Sequence, residues 1–371
     1  MNRRKTLGSL LAFTALGNVA LADQVRVEAF DLVGDGISPD GAALARLITH
    51  INAIKGDHLV QVRLRGDYSL AGVPKRPMAP QRREGQEGDV IGLPALTRNN
   101  VAIDARGATF RVPTNFVFRR LKRGGDARDS FFVLFHFKGQ NCSLTGGVLD
   151  GALDKRKVIR GPKSSGYGGQ EFGLVMEGRG WQLNDVVAKN WGTDCLLITA
   201  SGRCIGGMFS KGRRNGISIV APEEIPEDDP VVIQGGVLGQ NGQYPEDIAN
   251  NPGAGAVVEG PAVVTAVFDG ITFVDNHLKD LQLAKNSYRC IVKNCTFSHD
   301  MKLRPLQRGG HVISNNRFLG AAALLISSTI RGSEIVKIYA NSFVARDGKA
   351  SIRFHLSRVR GSYFKQKIDR N

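Results

Sequence analysis

Two carboxylates and a group of bases stand where a charged polymer could be worked on. Glu171 opens "EFGLVMEG" (171–178) and Asp194 opens "DCLLITAS" (194–201), each immediately before residues that alternate as a buried strand does. About one repeat later, "RRNGISIVAP" (213–222) offers Arg213, Arg214 and Asn215 in place of the acid, with Lys211 on the turn before them. If these runs stack in one parallel sheet, residues preceding each strand form a column with ~4.8 Å between coils. The column then reads Glu171, Asp194, Arg213-Arg214-Asn215 and, further along, Lys279.

Two chemistries suit such an edge. In β-elimination a cation such as Arg213 neutralises a uronate carboxylate, which lowers the cost of removing the neighbouring C5 proton, and a base such as Lys211 or Lys163 takes that proton. In hydrolysis Glu171 and Asp194 divide the roles of acid and base or nucleophile, with their separation setting the stereochemical outcome. Arg213 and Arg214 alternate in direction, so one of them faces a groove, and Arg214 is the weaker choice if Asn215 takes the column position of Asp194. Each residue also has a plainer reading. Asp194 caps a turn, Glu171 pairs with Arg213 or Arg214, Lys211 is solvated, and Trp191 is either a sugar-stacking platform or a packed corner.

Two insertions flank this column. "RRLKRGGDARDSF" (119–131) and "DGALDKRKVIRGPKSSGYGGQ" (150–170) bring a dense basic stretch just ahead of Glu171, where Lys155, Arg156, Lys157, Arg160 and Lys163 suit carboxylates of an acidic polymer. A second excursion follows the arginines, "PEEIPEDDPVVIQGG" (222–236) with "GQNGQYPEDIANNPGAG" (239–255). Long loops in repeat proteins collect on one face and wall a groove. The acids Glu223, Glu224, Glu227, Asp228 and Asp229 offer oxygens of the kind Ca²⁺ takes, but without EF-hand spacing, so a solvated acidic loop is the plainer reading.

The elements that must position these residues are repetitive. An aliphatic residue, any residue, a Gly, Asn or Asp, two more residues and then an apolar one recur as LTGGVL (144–149), LNDVVA (183–188), IGGMF (205–209), FDGITF (268–273), VKNCTF (292–297), ISNNRF (313–318) and IYANSF (338–343), several of them 21 to 24 residues apart. Between these phrases lies a second set of alternating strands: GLVMEG, CLLITAS, GISIVAP, GAVVEG, DLQLAKN, ALLISS and SIRFHLS. Helical faces are absent, so the period predicts a coiled β-solenoid with apolar ladders inside.

The first 22 residues read as an export signal: Arg3, Arg4 and Lys5, an apolar stretch from Leu7 to about Ala20, and the small-x-small site Ala20-Leu21-Ala22. The paired arginines loosely resemble a twin-arginine signal. The stretch is short of the roughly 20 apolar residues a membrane span needs. Its removal leaves 47 bases against 34 acids, a net +13. For an exported protein that charge favours acidic polysaccharide, lipopolysaccharide or membrane surface over nucleic acid, with a solvated basic surface as the plainer reading. Five cysteines, an odd number mostly within strand patterns, predict no disulfide framework and no zinc site.

"DLVGDGISPDGAALARLI" (31–48), "NNVAIDARGATF" (99–110) and "NCSLTGGVLDG" (141–151) carry a resemblance to the right-handed parallel β-helix proteins of the pectate-lyase-like superfamily, over roughly residues 25–360. "GGQEFG" (168–173), "NWGTDCLLI" (190–198) and "GRRNGISI" (212–219) are similar to phrases of a subset of exported bacterial members, from which Phe172 and Cys195 depart conservatively. The resemblance implies an all-β right-handed parallel β-helix. A signal peptide occupies 1–22 and a single domain 23–371, with an N-terminal cap and its helix over about 23–60, coils over about 60–357 and a basic tail over 358–371. It implies no chemistry, because the superfamily holds lyases, hydrolases, epimerases, tailspikes and adhesins.

The expectation is therefore a periplasmic or secreted lyase that cleaves a uronate-containing polysaccharide by β-elimination, using Glu171, Asp194, Lys211, Arg213 and Arg214. Lys155, Arg160, Lys163, Trp191 and Asn215 would hold the substrate. No cofactor is required, with Ca²⁺ as an option, and neither nucleic acid nor membrane insertion is expected. A glycoside hydrolase using Glu171 and Asp194 is the first alternative. A non-catalytic polysaccharide-binding or exopolysaccharide export or assembly protein is the second, though it would favour an aromatic-lined groove, and aromatics are 7% of the chain.

Overall fold

A computed structural model describes residues 23–77, 89–116, 118–119, 131–159, 171–243, 253–304, 308–327, 335–344 and 351–355. The stretch expected to be an export signal, the basic tail, Arg160, Lys163 and most of the basic insertions lie outside the described residues.

Three sheets of eleven strands each run the length of the described chain, and every strand pairs with the equivalent strand of the next coil. The pairing is parallel except between Lys75–Pro77 and Asp89–Gly92 at the start of the second sheet. This is a parallel β-helix, as the repeat predicts.

The recurring phrase spans the corner from the first sheet to the third. Its small or polar residue is the one that turns: Gly146, Asp185, Gly206, Gly270, Asn294 and Asn315 all have φ between 51° and 70°. Only glycine, and to a lesser degree Asn and Asp, visits that left-handed region cheaply. Ala340, at the same place in the last described phrase, takes φ 52° without that advantage.

Apolar ladders fill the interior. In the first sheet the register runs Val62, Ile103, Leu144, Leu183, Cys204, Ile233, Phe268, Val292, Ile313, Ile338. In the third sheet the rings of Phe273, Phe297, Phe318 and Phe343 stack at 4.9, 4.7 and 4.7 Å, which is the strand spacing itself. All five cysteines are buried free thiols within this core. Burial pushes those of Cys204, Cys290 and Cys295 up to about 12. One helix, Gly41–Ala53, turns Leu44, Leu47, Ile48 and Ile51 into the same core. Among the described residues no helix is long and apolar enough to cross a membrane.

Candidate functional site

The predicted column exists. The second sheet pairs Phe172 with Asp194, Asp194 with Asn215, Asn215 with Ala254 and Ala254 with Lys279. Glu171 stands one residue before this row.

In three of these strands the residue at this position and the one three further on stand side by side. Phe172 and Val175 pack in one small cluster with Val133 and Leu197. Asn215 Nδ2 donates to Ser218 Oγ at 3.0 Å, and Lys279 Nζ donates to Gln282 Oε1 at 2.7 Å. The residue between them turns toward the corner, where space is short. A Cβ on Gly173 would lie 2.7 Å from Trp191 Nε1, one on Gly216 2.8 Å from Asn241 Nδ2, and one on Gly255 2.7 Å from Phe273 Cδ1.

That corner corrects the expectation for Trp191. The indole is completely buried and donates Nε1–H to Leu149 O at 3.1 Å. Asn241 and Asn276 make the same bond in later coils, from Nδ2 to Phe209 O and to Leu238 O. Trp191 is thus the corner residue that bonds the preceding coil of the third sheet, and no face of it is available to a sugar. Asn215, expected to hold substrate, is 1% exposed and also accepts from Ala254 N at 3.1 Å, so it joins two coils.

Both acids are already paired. Arg156 donates Nη1 to Glu171 Oε1 at 2.8 Å and Nη2 to Oε2 at 2.5 Å, and Gly192 N–H adds a third bond at 3.1 Å. Asp194, wholly buried, accepts from Arg214 Nε at 2.9 Å, Arg214 Nη2 at 2.5 Å and Asn215 N at 3.1 Å. The acid ahead of the apolar run therefore ties its coil to the next, and its acceptor positions face protein donors. The partner of Glu171 is Arg156 from the basic insertion, not Arg213 or Arg214. Neither carboxylate is placed to touch a glycosidic oxygen.

The two arginines exchange their expected roles. Arg213 is 5% exposed and donates Nε to Gly192 O at 2.6 Å, which fastens the corner beside Trp191. Arg214 keeps 31% of its side chain exposed, so it is the guanidinium that reaches the surface. Lys211 sits on a left-handed turn residue, φ 55°, with its side chain exposed. Lys155 ends a short 3-10 turn, Leu153–Lys155, and is exposed. The acidic run is an exposed loop in which Glu227 pairs with Arg289 at 2.6 Å and Asp229 accepts from Ser201 Oγ at 2.5 Å. Among the described residues no group of three His, Cys, Asp or Glu side chains converges as a metal site would require.

The lysine the column brings in last is the most perturbed base on this face. Lys279 is 7% exposed. Burial, with the neighbouring charges of Lys302 and Arg304, pulls its ammonium down to about 8, against a smaller opposing effect of Glu259. Lys302 pairs in register with Gln282, the residue Lys279 bonds, and Arg304 follows the same strand, Met301–Leu303. Asp280, the corner residue here, accepts from Ser298 N and His299 N at 2.6 Å each and shapes the turn into that strand. Across two adjacent coils the outer face thus presents a buried amine flanked by two more cations. The sequence column contains Lys279, but alternation alone does not reveal its burial or its cationic neighbours.

No family model matches the chain, and no curated protein matches it. Among solved structures it is similar to the A-module of the mannuronan C-5 epimerase AlgE4 from Azotobacter vinelandii, at 14% identity, with 91% of this chain and all of that one covered and a TM-score of 0.41. It is similar to the Streptococcus pneumoniae surface protein and adhesin PfbA at 11% identity, covering 90% and 99%, TM-score 0.41. A third likeness is the tailspike gp49 of Acinetobacter baumannii bacteriophage Fri1, a capsular polysaccharide depolymerase, at 12% identity, covering 89% and 62%, TM-score 0.37.

Proposed function

We propose that the chain is an exported polysaccharide lyase that cleaves a uronate-containing polysaccharide on the outer face of its second sheet. The observation that carries this reading is the placement of Lys279, a nearly buried amine bonded to Gln282 beside Lys302 and Arg304. A base must be unprotonated to act, and a lysine does so near neutral pH only where burial and like charge disfavour its ammonium. The same neighbours suit the substrate, because a uronate carboxylate held by Lys302 or Arg304 acidifies its own C5–H.

In this scheme the Lys279 amine takes the C5 proton, the electron pair forms the C4–C5 double bond, the C4–O bond breaks, and the departing oxygen takes a proton from solvent. Arg214 extends the cationic surface toward earlier coils. Glu171 and Asp194 hold coils together and take no proton. The hydrolytic alternative is not carried forward, since both carboxylates face arginines. The helix Gly41–Ala53 serves as the N-terminal cap of the solenoid in this reading.

Mature protein would be incubated with uronate polysaccharides and with neutral ones. New reducing ends together with the ultraviolet absorbance of an unsaturated uronate, from the acidic substrates only, is the expected result. New ends without that absorbance would overturn the elimination, and inversion at C5 without cleavage would reassign the same base to epimerisation.

A further inference from the structure

A second site lies on a different sheet. The outer face of the first sheet carries an open groove of about 270 Å³, lined by Gln24, Gln61, Arg63, Asp104, Arg106 and Ser143 among others. Its floor is a register row: Gln24 pairs with Gln61, Gln61 with Ala102 and Ala102 with Ser143, four strands in succession. Three strand spacings make the row ~14 Å long, enough for a short run of sugar rings to lie across the coils.

The chemistry of the lining is specific. Gln24, Gln61 and Ser143 make no side-chain hydrogen bond among the described residues, so donors and acceptors stand ready along the row. One wall is charged. Asp104 accepts from Arg65 Nη2 at 2.7 Å and from Arg106 Nε and Nη2 at 2.9 Å each, while Arg63 Nε stands 3.8 Å away, too far for a hydrogen bond. Arg63 is two-thirds exposed and, among the described residues, donates no hydrogen bond, beside a carboxylate that Arg65 and Arg106 already engage. Three guanidiniums against one carboxylate leave this wall positive.

We infer that this groove is a second glycan-binding site, which takes a short carboxylated segment of sugar chain with Arg63 on a carboxylate and the Gln24–Gln61–Ser143 row on its hydroxyls. It holds polymer away from the place of cleavage and supplies avidity. Only the class of ligand rests on the function proposed above, since the groove shares no residue with the Lys279 face.

The test uses full-length mature protein and two probes, a galacturonate hexamer and the neutral maltohexaose, with binding read by calorimetry. Wild type should bind the acidic hexamer. The Arg63→Ala Gln61→Ala variant, altered only at exposed side chains, should bind it at least about tenfold more weakly, the loss expected for a charge-assisted bond. Lys279→Met should leave binding in this groove unchanged while removing any turnover. The inference is overturned if neither hexamer binds wild type, if the two bind equally, or if Arg63→Ala Gln61→Ala binds as wild type does. Absence of turnover with groove binding intact would instead count against the lyase reading alone.

Discussion

The Arg156–Glu171 pair separates a structural acid from a catalytic one. Both side chains are almost completely buried, 1% and 5% exposed, and they meet through two parallel bonds. Glu171→Gln preserves shape but leaves a guanidinium charged and uncompensated in a site closed to water. Removing one partner of a buried pair costs about 3–5 kcal/mol, whereas replacing both by apolar residues of similar volume is near neutral or stabilising. Arg156→Leu should cost a similar amount, because it strands the carboxylate. The double variant Arg156→Leu Glu171→Leu should recover most of the loss, giving a coupling of about 3 kcal/mol or more. Urea unfolding at neutral pH measures all three, and activity measured beside it should follow the folded fraction. A Glu171→Gln protein that unfolds within about 1 kcal/mol of wild type yet has lost turnover would refute the structural reading and return Glu171 to the chemistry.

His311 makes stability depend on pH. It is completely buried, its Nδ1 accepts from Cys290 N at 3.0 Å, and its Nε2 has no hydrogen-bond partner among the described residues. Burial pulls it down to about 4. The unfolded chain binds a proton near pH 6.5 that the folded chain refuses until about pH 4, so stability is full above that window and falls through it. The loss is about 2 kcal/mol between about pH 7.5 and about pH 5. His311→Gln should show that much less pH dependence over this range in urea unfolding, and an unchanged slope would contradict the assignment. Gly173→Ala would press a Cβ to 2.7 Å from Trp191 Nε1 and 2.8 Å from Cys195 O. It should destabilise by about 1–3 kcal/mol, and a thermal midpoint equal to wild type would show that the corner has room.

The coil was legible because one backbone event repeats. The recurring phrase, at several places 21 to 24 residues apart, marks the left-handed corner, and a one-coil offset in sequence becomes a register pair in space, as with Asp194 and Asn215. Side-chain partners were less legible. Arg156 lies in an insertion with no periodicity, so nothing in its spacing points to Glu171. Trp191 stands where later coils use asparagine, and only the shared bond to a third-sheet carbonyl reveals the equivalence. Arg213 and Arg214 precede the strand Asn215–Val220, so the alternation of the strand does not decide which of them reaches the surface.

The central claim is that the Lys279 amine removes the C5 proton, and the pH dependence of kcat/KM on a uronate polymer tests it most directly. Turnover should rise with an apparent pKa close to that of Lys279, about 8, release unsaturated product, and disappear in Lys279→Met at unchanged thermal stability. Unsaturated product formed by Lys279→Met at the wild-type rate, with the same pH profile, would contradict it.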